Sequence, residues 1–234
     1  MKRQQKYGQK GDNVDKEHML QDMLPFWDKL SDSDQKLIAD HAQEEKFKRS
    51  MVISRTDEDC KGAIILHSGQ FRIYIISDEG REVTLYRLHA GDMCVLSASC
   101  LLDSIEFDVI IEAVEDTDAT LIPAGILHQI KERNPYAELF LSKTANERFS
   151  DVMWTMQQIL FMKTDRRVAI FLWDEITKTK NTTITYTHDE VARFIGSARE
   201  VVTRILKYFA DEEIVKLNRG KIEIIDKDKL RAYV

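Results

Sequence analysis

The most constraining stretch of the chain is Thr187 to Val215, THDEVARFIGSAREVVTRILKYFADEEIV. Thr187 is a good N-cap, and Glu190 three residues on makes a capping box. Val191, Ala192 and Ile195 then give a short apolar face at helical spacing. Gly196 ends that helix where a tight turn requires positive φ. Ser197 is read as the start of a second helix, along which Val201, Val202, Ile205, Leu206 and Phe209 recur at helical spacing. Arg199, Glu200, Thr203, Arg204 and Lys207 stand between those core positions. Arg and Glu on a helix are most often only a solvated face. Here the order of elements argues for more, because a second apolar run, Ile214 to Leu217, is followed by the turn Asn218-Arg219-Gly220 and by Lys221 to Ile225. Cap, short helix, glycine turn, second helix and basic-tipped β-hairpin together spell a winged helix–turn–helix. Arg can donate two bonds to guanine O6 and N7, and Glu can accept from cytosine N4. The expected DNA-binding residues are Thr187, His188, Ser197, Arg199, Glu200, Thr203, Arg204, Lys207, Arg219 and Lys221.

The segment Gly196-Ser197-Ala198-Arg199-Glu200-Val201-Val202-Thr203-Arg204 resembles the recognition helix of the Crp/Fnr superfamily of bacterial transcription regulators. That pattern runs roughly G-x-[ST]-R-E-x-[VI]-[SGT]-R. The resemblance implies base and phosphate contacts from Arg199, Glu200 and Arg204, as in the cyclic-AMP-receptor branch. The Fnr branch would use Glu200, the Ser position occupied here by Thr203, and Arg204.

Upstream, from about Phe47 to Pro123, the apolar period drops from helical to two. Val52, Ile64 to Leu66, Phe71-Ile73-Ile75 and Val83-Leu85 are strand-like, and Gly69, Gly80 and Gly91 recur every eleven residues. Ser77 to Arg81 marks the clearest hairpin, and Ile105 to Val114 is read as another long strand. The reading is a small antiparallel β-roll. Its phrase from Leu66 to Tyr74, followed by Gly91-Asp92, resembles the cyclic-nucleotide-binding-like sensor of the same superfamily. The resemblance thus runs from Trp27 onward and implies an α+β fold with a jelly-roll-like β-roll, a long dimerisation helix and a C-terminal winged helix–turn–helix. The expected boundaries are a disordered tail over 1–16, a sensor over 17–133, the dimerisation helix over 134–163 and the DNA-binding domain over 164–234.

The departures concern the effector. The cyclic-AMP cassette needs a glycine–glutamate for the ribose and an Arg-Ser pair for the cyclic phosphate. After Gly91-Asp92 this chain reads Met93-Cys94-Val95-Leu96-Ser97, and Phe107 and Asp108 stand where Arg-Ser would fall. Without that Arg, and with Glu106, Asp108 and Glu112 nearby, a cyclic phosphate loses a charge-assisted pair. Cyclic AMP is therefore not expected. An iron–sulfur cluster is not expected either, since the first cysteine is Cys60 and no N-terminal cysteine cluster exists. The expected effector is another small molecule, and Asp92, Met93, Cys94, Leu96, Ser97, Phe107 and Trp154 are the weak pocket candidates. Two thiols, Cys94 and Cys100, six residues apart, offer a redox or soft-metal alternative. Free cysteines are more often small buried residues. His67 and His89 read as polar strand positions rather than ligands, and no metal site is expected. A cupin-like enzyme would need a His-x-His pair, which is absent, so no catalytic residue is expected.

Length and charge fit this picture. The 234 residues suffice for two domains. Residues 165–234 carry 14 Lys and Arg against 12 Asp and Glu, while the rest carry 20 against 28, an acidic sensor joined to a mildly basic module. The polar first sixteen residues contain no signal-peptide core, and no apolar run is long enough to span a membrane, so a cytoplasmic location is expected. From Pro135 to Lys163, Leu141, Ala145, Arg148/Phe149, Val152, Met156 and Ile159 repeat near every 3.5 residues, which predicts a coiled-coil seam. A homodimer about this helix would set two recognition helices ~34 Å apart on a palindromic operator. The resemblance also admits RNA polymerase as a partner.

Overall fold

The computed structural model describes residues 17–55, 62–95 and 109–234, with the side chains of Ser54 and Arg55 left aside. The expected tail over 1–16, and Cys60, Leu96, Ser97, Cys100, Glu106, Phe107 and Asp108, lie outside the described residues. The chain divides into two compact units. One comprises the described residues up to Ile73 with Tyr86–Ser150, and the other Tyr74–Leu85 with Asp151–Val234.

The first unit begins with a helix over residues 17–23 (α1). Leu20 and Leu24 explain it: both are fully buried in the core of this unit. A short helical turn at Trp27–Lys29 leads to α2 (Asp32–His41). Ser31 caps α2, its hydroxyl accepting from the Asp34 amide. Ile38 is buried along it, and His41 is exposed.

Among the described residues of the β-roll, eight strands form two four-stranded sheets. They are β1 (Gln43–Phe47), β2 (Val52–Arg55), β3 (Gly62–Leu66), β4 (Gln70–Ile76), β5 (Glu82–His89), β6 (Met93–Cys94), β7 (Ile110–Ala113) and β8 (Thr117–Pro123). One sheet has the order β1-β8-β3-β6 and the other β2-β7-β4-β5. In the first, β3 is central: Ile64 faces Leu121 on β8 and Cys94 on β6, both antiparallel. Every residue of β3 is buried, so it reads as a continuous apolar run rather than an alternation. Of the strand expected over Ile105 to Val114, the described part is β7. Glu112 on β7 does not contribute free acidity. The fully buried Arg72 guanidinium on β4 sits 3.6 Å from its carboxylate.

The recurring glycines take the backbone where other residues strain. Gly69 has φ 80°, and a Cβ there would lie 2.7 Å from the Asp116 carbonyl oxygen. Gly80, φ 77°, faces open space. Gly69→Ala therefore adds a steric clash to the left-handed cost and is expected to destabilise by ~3 kcal/mol, against ~1 kcal/mol for Gly80→Ala. Urea unfolding followed by tryptophan fluorescence measures both, and equal midpoint shifts would contradict the assignment.

Pro123 leads into α3 (Ala124–Arg133), and α4 (Pro135–Phe161) follows. Asn134 makes the junction: its Oδ1 accepts from the Tyr136 and Ala137 amides, and its Nδ2 donates to the Lys29 carbonyl. At 27 residues, α4 is ~40 Å long. Of the residues expected along the seam, Phe149 and Met156 are exposed. Leu141 is buried in the core of the first unit, and Val152 and Ile159 are half-buried. Arg148 turns toward its own unit, its guanidinium over the Tyr86 ring and 3.8 Å from Asp92. Exposed apolar side chains of α4 include Leu139, Trp154 and Phe161, and among them Phe149, Met153, Met156 and Leu160 are spaced four, three and four.

The second unit holds α5 (Thr164–Thr179), β9 (Thr183–Ile184), α6 (His188–Ile195), α7 (Arg199–Asp211), β10 (Val215–Asn218), β11 (Lys221–Ile224) and α8 (Lys227–Arg231). Val168, Leu172, Val191, Val202, Leu206, Phe209, Ile222 and Leu230 form its core. The wing strands β10 and β11 pair antiparallel, Asn218 opposite Lys221, and β9 adds a third strand beside β11. The tip of the β4–β5 hairpin and the C-terminal part of α4 belong to this unit.

Candidate nucleic-acid interface and effector region

The helix–turn–helix is built from local chemistry. Thr187 caps α6: its hydroxyl accepts from the Glu190 amide, and the Glu190 carboxylate accepts from the Thr187 amide at 2.8 Å. At the other end Gly196 is left-handed, φ 63°. Its amide donates to the Arg193 carbonyl, and the Ser197 amide reaches back to the Ala192 carbonyl at 2.9 Å. This pair of bonds is a Schellman motif. It corrects the expected start of the second helix, because Ser197 is consumed by the turn. Helix α7 begins at Arg199 with Ala198 in the cap position and no side-chain cap.

The buried stripe of α7, Val202, Leu206 and Phe209, fixes what its other faces present. Glu200, Thr203, Arg204 and Lys207 follow one another at three- and four-residue spacing and are exposed, with Arg199 beside them on the first turn. Arg219 and Lys221 are exposed at the wing tip. Thr187, also exposed, has its hydroxyl occupied by the capping box, and Ser197 is half-buried. His188 is half-buried, with Nδ1 3.1 Å from the Thr203 hydroxyl. Burial, and then the Arg199 charge, push the His188 imidazole below its ordinary pKa.

Three residues that reading the sequence did not associate with this region hold the turn. Arg81 at the hairpin tip donates from Nη2 to the Gly196 carbonyl at 2.9 Å. Thr84 on β5 donates to the Arg193 carbonyl at 2.8 Å. Arg167 on α5 donates from Nη1 to the Ile195 carbonyl at 2.8 Å. No local pattern links these positions, since the hairpin lies more than a hundred residues away in sequence. Burial, followed by repulsion from Arg81, lowers the pKa of Arg167 from its usual value.

In the sensor unit, Met93 and Cys94 are buried on β6, Met93 within the core. Asp92 closes the preceding turn: its Oδ2 accepts from the His89 amide at 2.8 Å. Arg148, above its other oxygen, is a cation that the sequence did not flag. Trp154, the remaining described pocket candidate, is an exposed residue of α4 in the other unit. His67 meets the Thr120 hydroxyl of β8 through Nε2, and His89 meets the Gln70 side-chain amide of β4 through Nδ1, so both tie neighbouring strands. Among the described residues no three His, Cys, Asp or Glu side chains converge as a metal site, and no helix is long and apolar enough to cross a membrane.

Residues 166–233 match the Crp-like helix-turn-helix domain, and residues 44–134 match the cyclic nucleotide-binding domain. A crystal structure from Eubacterium rectale ATCC 33656, of a chain assigned to the Crp/Fnr family as a transcriptional regulator, is 43% identical with a TM-score of 0.84. The match covers 91% of this chain and 98% of that one. The chain belongs to the Crp/Fnr family of transcription regulators. Among curated relatives of this Crp/Fnr chain is the Cyclic AMP receptor protein of Thermus thermophilus, 26% identical over 160 residues, 68% of this chain and 73% of the relative. Transcriptional activator protein anr of Pseudomonas aeruginosa is 21% identical over 194 residues, 80% of this chain and 78% of the relative. The expected α+β architecture, β-roll followed by long helix and winged helix–turn–helix, is thus the observed one.

Proposed function

We propose that this regulator is a homodimer that reads a palindromic operator and answers to a small molecule in its β-roll. The observation that carries the DNA reading is the exposed row Arg199, Glu200, Thr203, Arg204 and Lys207, next to a wing tipped by Arg219 and Lys221. Arg199, Glu200 and Arg204 supply donors and an acceptor matched to base edges, and the wing lysine and arginine supply phosphate contacts. His188 orients the Thr203 hydroxyl. The division of labour follows the expected limits: sensor over 17–133, dimerisation helix over 134–163, DNA binding over 164–234. Catalysis has no place in this reading, and the site of action is the cytoplasm, with RNA polymerase as a secondary partner.

Dimerisation draws support from α4. Phe149, Met153, Met156 and Leu160 leave an apolar stripe in solvent with the spacing of a coiled-coil seam. The effector differs from cyclic AMP because Phe107 and Asp108 occupy the positions of the phosphate-binding pair. A thiol switch is the weaker alternative, since Cys94 is buried on β6. The full reading is tested by selecting a random-sequence duplex pool on the full chain. An inverted repeat with half-sites one helical turn apart is the expected product, and a selected pool with no two-fold symmetry would contradict the dimeric operator. Native mass spectrometry of the purified protein, with cyclic AMP added in a parallel sample, then tests the effector. A retained small molecule, and no cyclic-AMP adduct, are expected.

A further inference from the structure

A helix leaves its last carbonyls without intrahelical partners. At the end of α6 those carbonyls lie in the turn that sets the angle between α6 and the recognition helix α7. The local Schellman bonds serve Ala192 and Arg193. The outer carbonyls are served from elsewhere: Ile195 by Arg167 of α5, Gly196 by Arg81, and Arg193 a second time by Thr84. Two of these three donors come from one hairpin. That hairpin is itself pinned, because the Thr155 hydroxyl of α4 donates to the Leu85 carbonyl at 2.7 Å. Apolar contact completes the seat. A Cβ placed on Gly196 would rest 3.8 Å from Val83 of the hairpin and 3.8 Å from Ile159 of α4, an ordinary packing distance.

Arg81 and Arg167 bring two guanidinium groups to one turn, and they repel one another. Their positions are favourable only because the negative end of the α6 dipole lies there and each finds a carbonyl. All the bonds go to backbone, and the reading side chains of α7 stay exposed. The grip therefore leaves the DNA face clear while fixing its direction.

We propose that Arg81 and Thr84 are positioning residues for DNA recognition, through which the β4–β5 hairpin sets the attitude of the helix–turn–helix. The proposal rests on the DNA-reading function given above.

The test compares wild type, Arg81→Ala, Thr84→Val and Thr84→Ser as full chains. Hydrogen exchange on the free proteins reads the amides over residues 193–200. Fluorescence anisotropy reads two probes, the duplex selected on wild type and an unselected duplex of equal length. Arg81→Ala and Thr84→Val are each expected to speed exchange across the turn. Each should weaken the selected duplex about 10-fold while changing the unselected one less than about 2-fold, the loss of one bond to a charged or buried partner. Thr84→Ser keeps the donor and should restore both readings. Unchanged exchange in Arg81→Ala and Thr84→Val shows that no grip exists. Faster exchange with unchanged affinity for the selected duplex shows that the grip does not position recognition, and either result overturns the proposal. Failure of wild type to select any duplex would instead refute the DNA-reading function, while the exchange arm would still decide whether the grip exists.

Discussion

Arg199→Ala and Arg204→Ala are each expected to weaken binding to the selected operator by ~1–3 kcal/mol, the discrimination carried by a bidentate base contact. At 25 °C this is about 5- to 150-fold in Kd. Both side chains are exposed on α7, outside the packed stripe of Val202, Leu206 and Phe209, so the loss is not explained by unfolding. Lys221→Ala supplies the contrast. A wing lysine that meets phosphate weakens operator and unrelated DNA alike and lowers the slope of log K against log salt by about 1. Anisotropy titrations at three salt concentrations separate the two patterns. Wild-type affinity in both arginine variants would remove the recognition helix from the assignment.

How much of this was legible in the sequence depends on the range of the interactions. The α6 cap and the Gly196 turn are local, and Thr187, Glu190 and Gly196 announce them. The β4–β5 hairpin is equally local, with Gly80 at φ 77°. Within the turn, the sequence reading started the second helix at Ser197. The Schellman geometry decided otherwise, because it claims the Ser197 amide for the preceding helix. Helix α1 is too short to be stable alone: Met19, Leu20, Met23 and Leu24 do recur at helical spacing, but burial against α2 and the β-roll supplies the stability.

Side-chain partners across long separations left no trace. Arg72 and Glu112 neutralise each other between two strands, which removes Glu112 from the argument for an acidic pocket. Arg148 was read as part of a seam because 3.5-residue spacing includes it. Its actual neighbours, Tyr86 and Asp92, lie more than fifty residues away. The hairpin bonds to Arg193 and Gly196 are of the same kind: backbone carbonyls carry no residue code, so no motif records them.

The α4 register has the largest consequence for function. Apolar residues lie all round this helix, and two stripes satisfy the same period. Tertiary packing selects between them: Leu141 enters the sensor core and Ile159 packs beneath the helix–turn–helix turn, which leaves Phe149, Met153, Met156 and Leu160 outside. Phe149 is 65% exposed and Leu160 66%, a large apolar cost in water for a monomer. Met153→Glu or Met156→Glu places like charges on both copies of a two-fold seam and is expected to give monomers by light scattering at micromolar concentration. Each should lose more than ~100-fold in operator affinity, since one half-site contact is removed from a two-site interaction. Val152→Glu is expected to act differently. Its side chain is half-buried, so it should lower the unfolding midpoint while leaving a larger fraction of dimer. A monomeric wild type, or dimers that persist with glutamate at both Met153 and Met156, would move the symmetry axis away from α4.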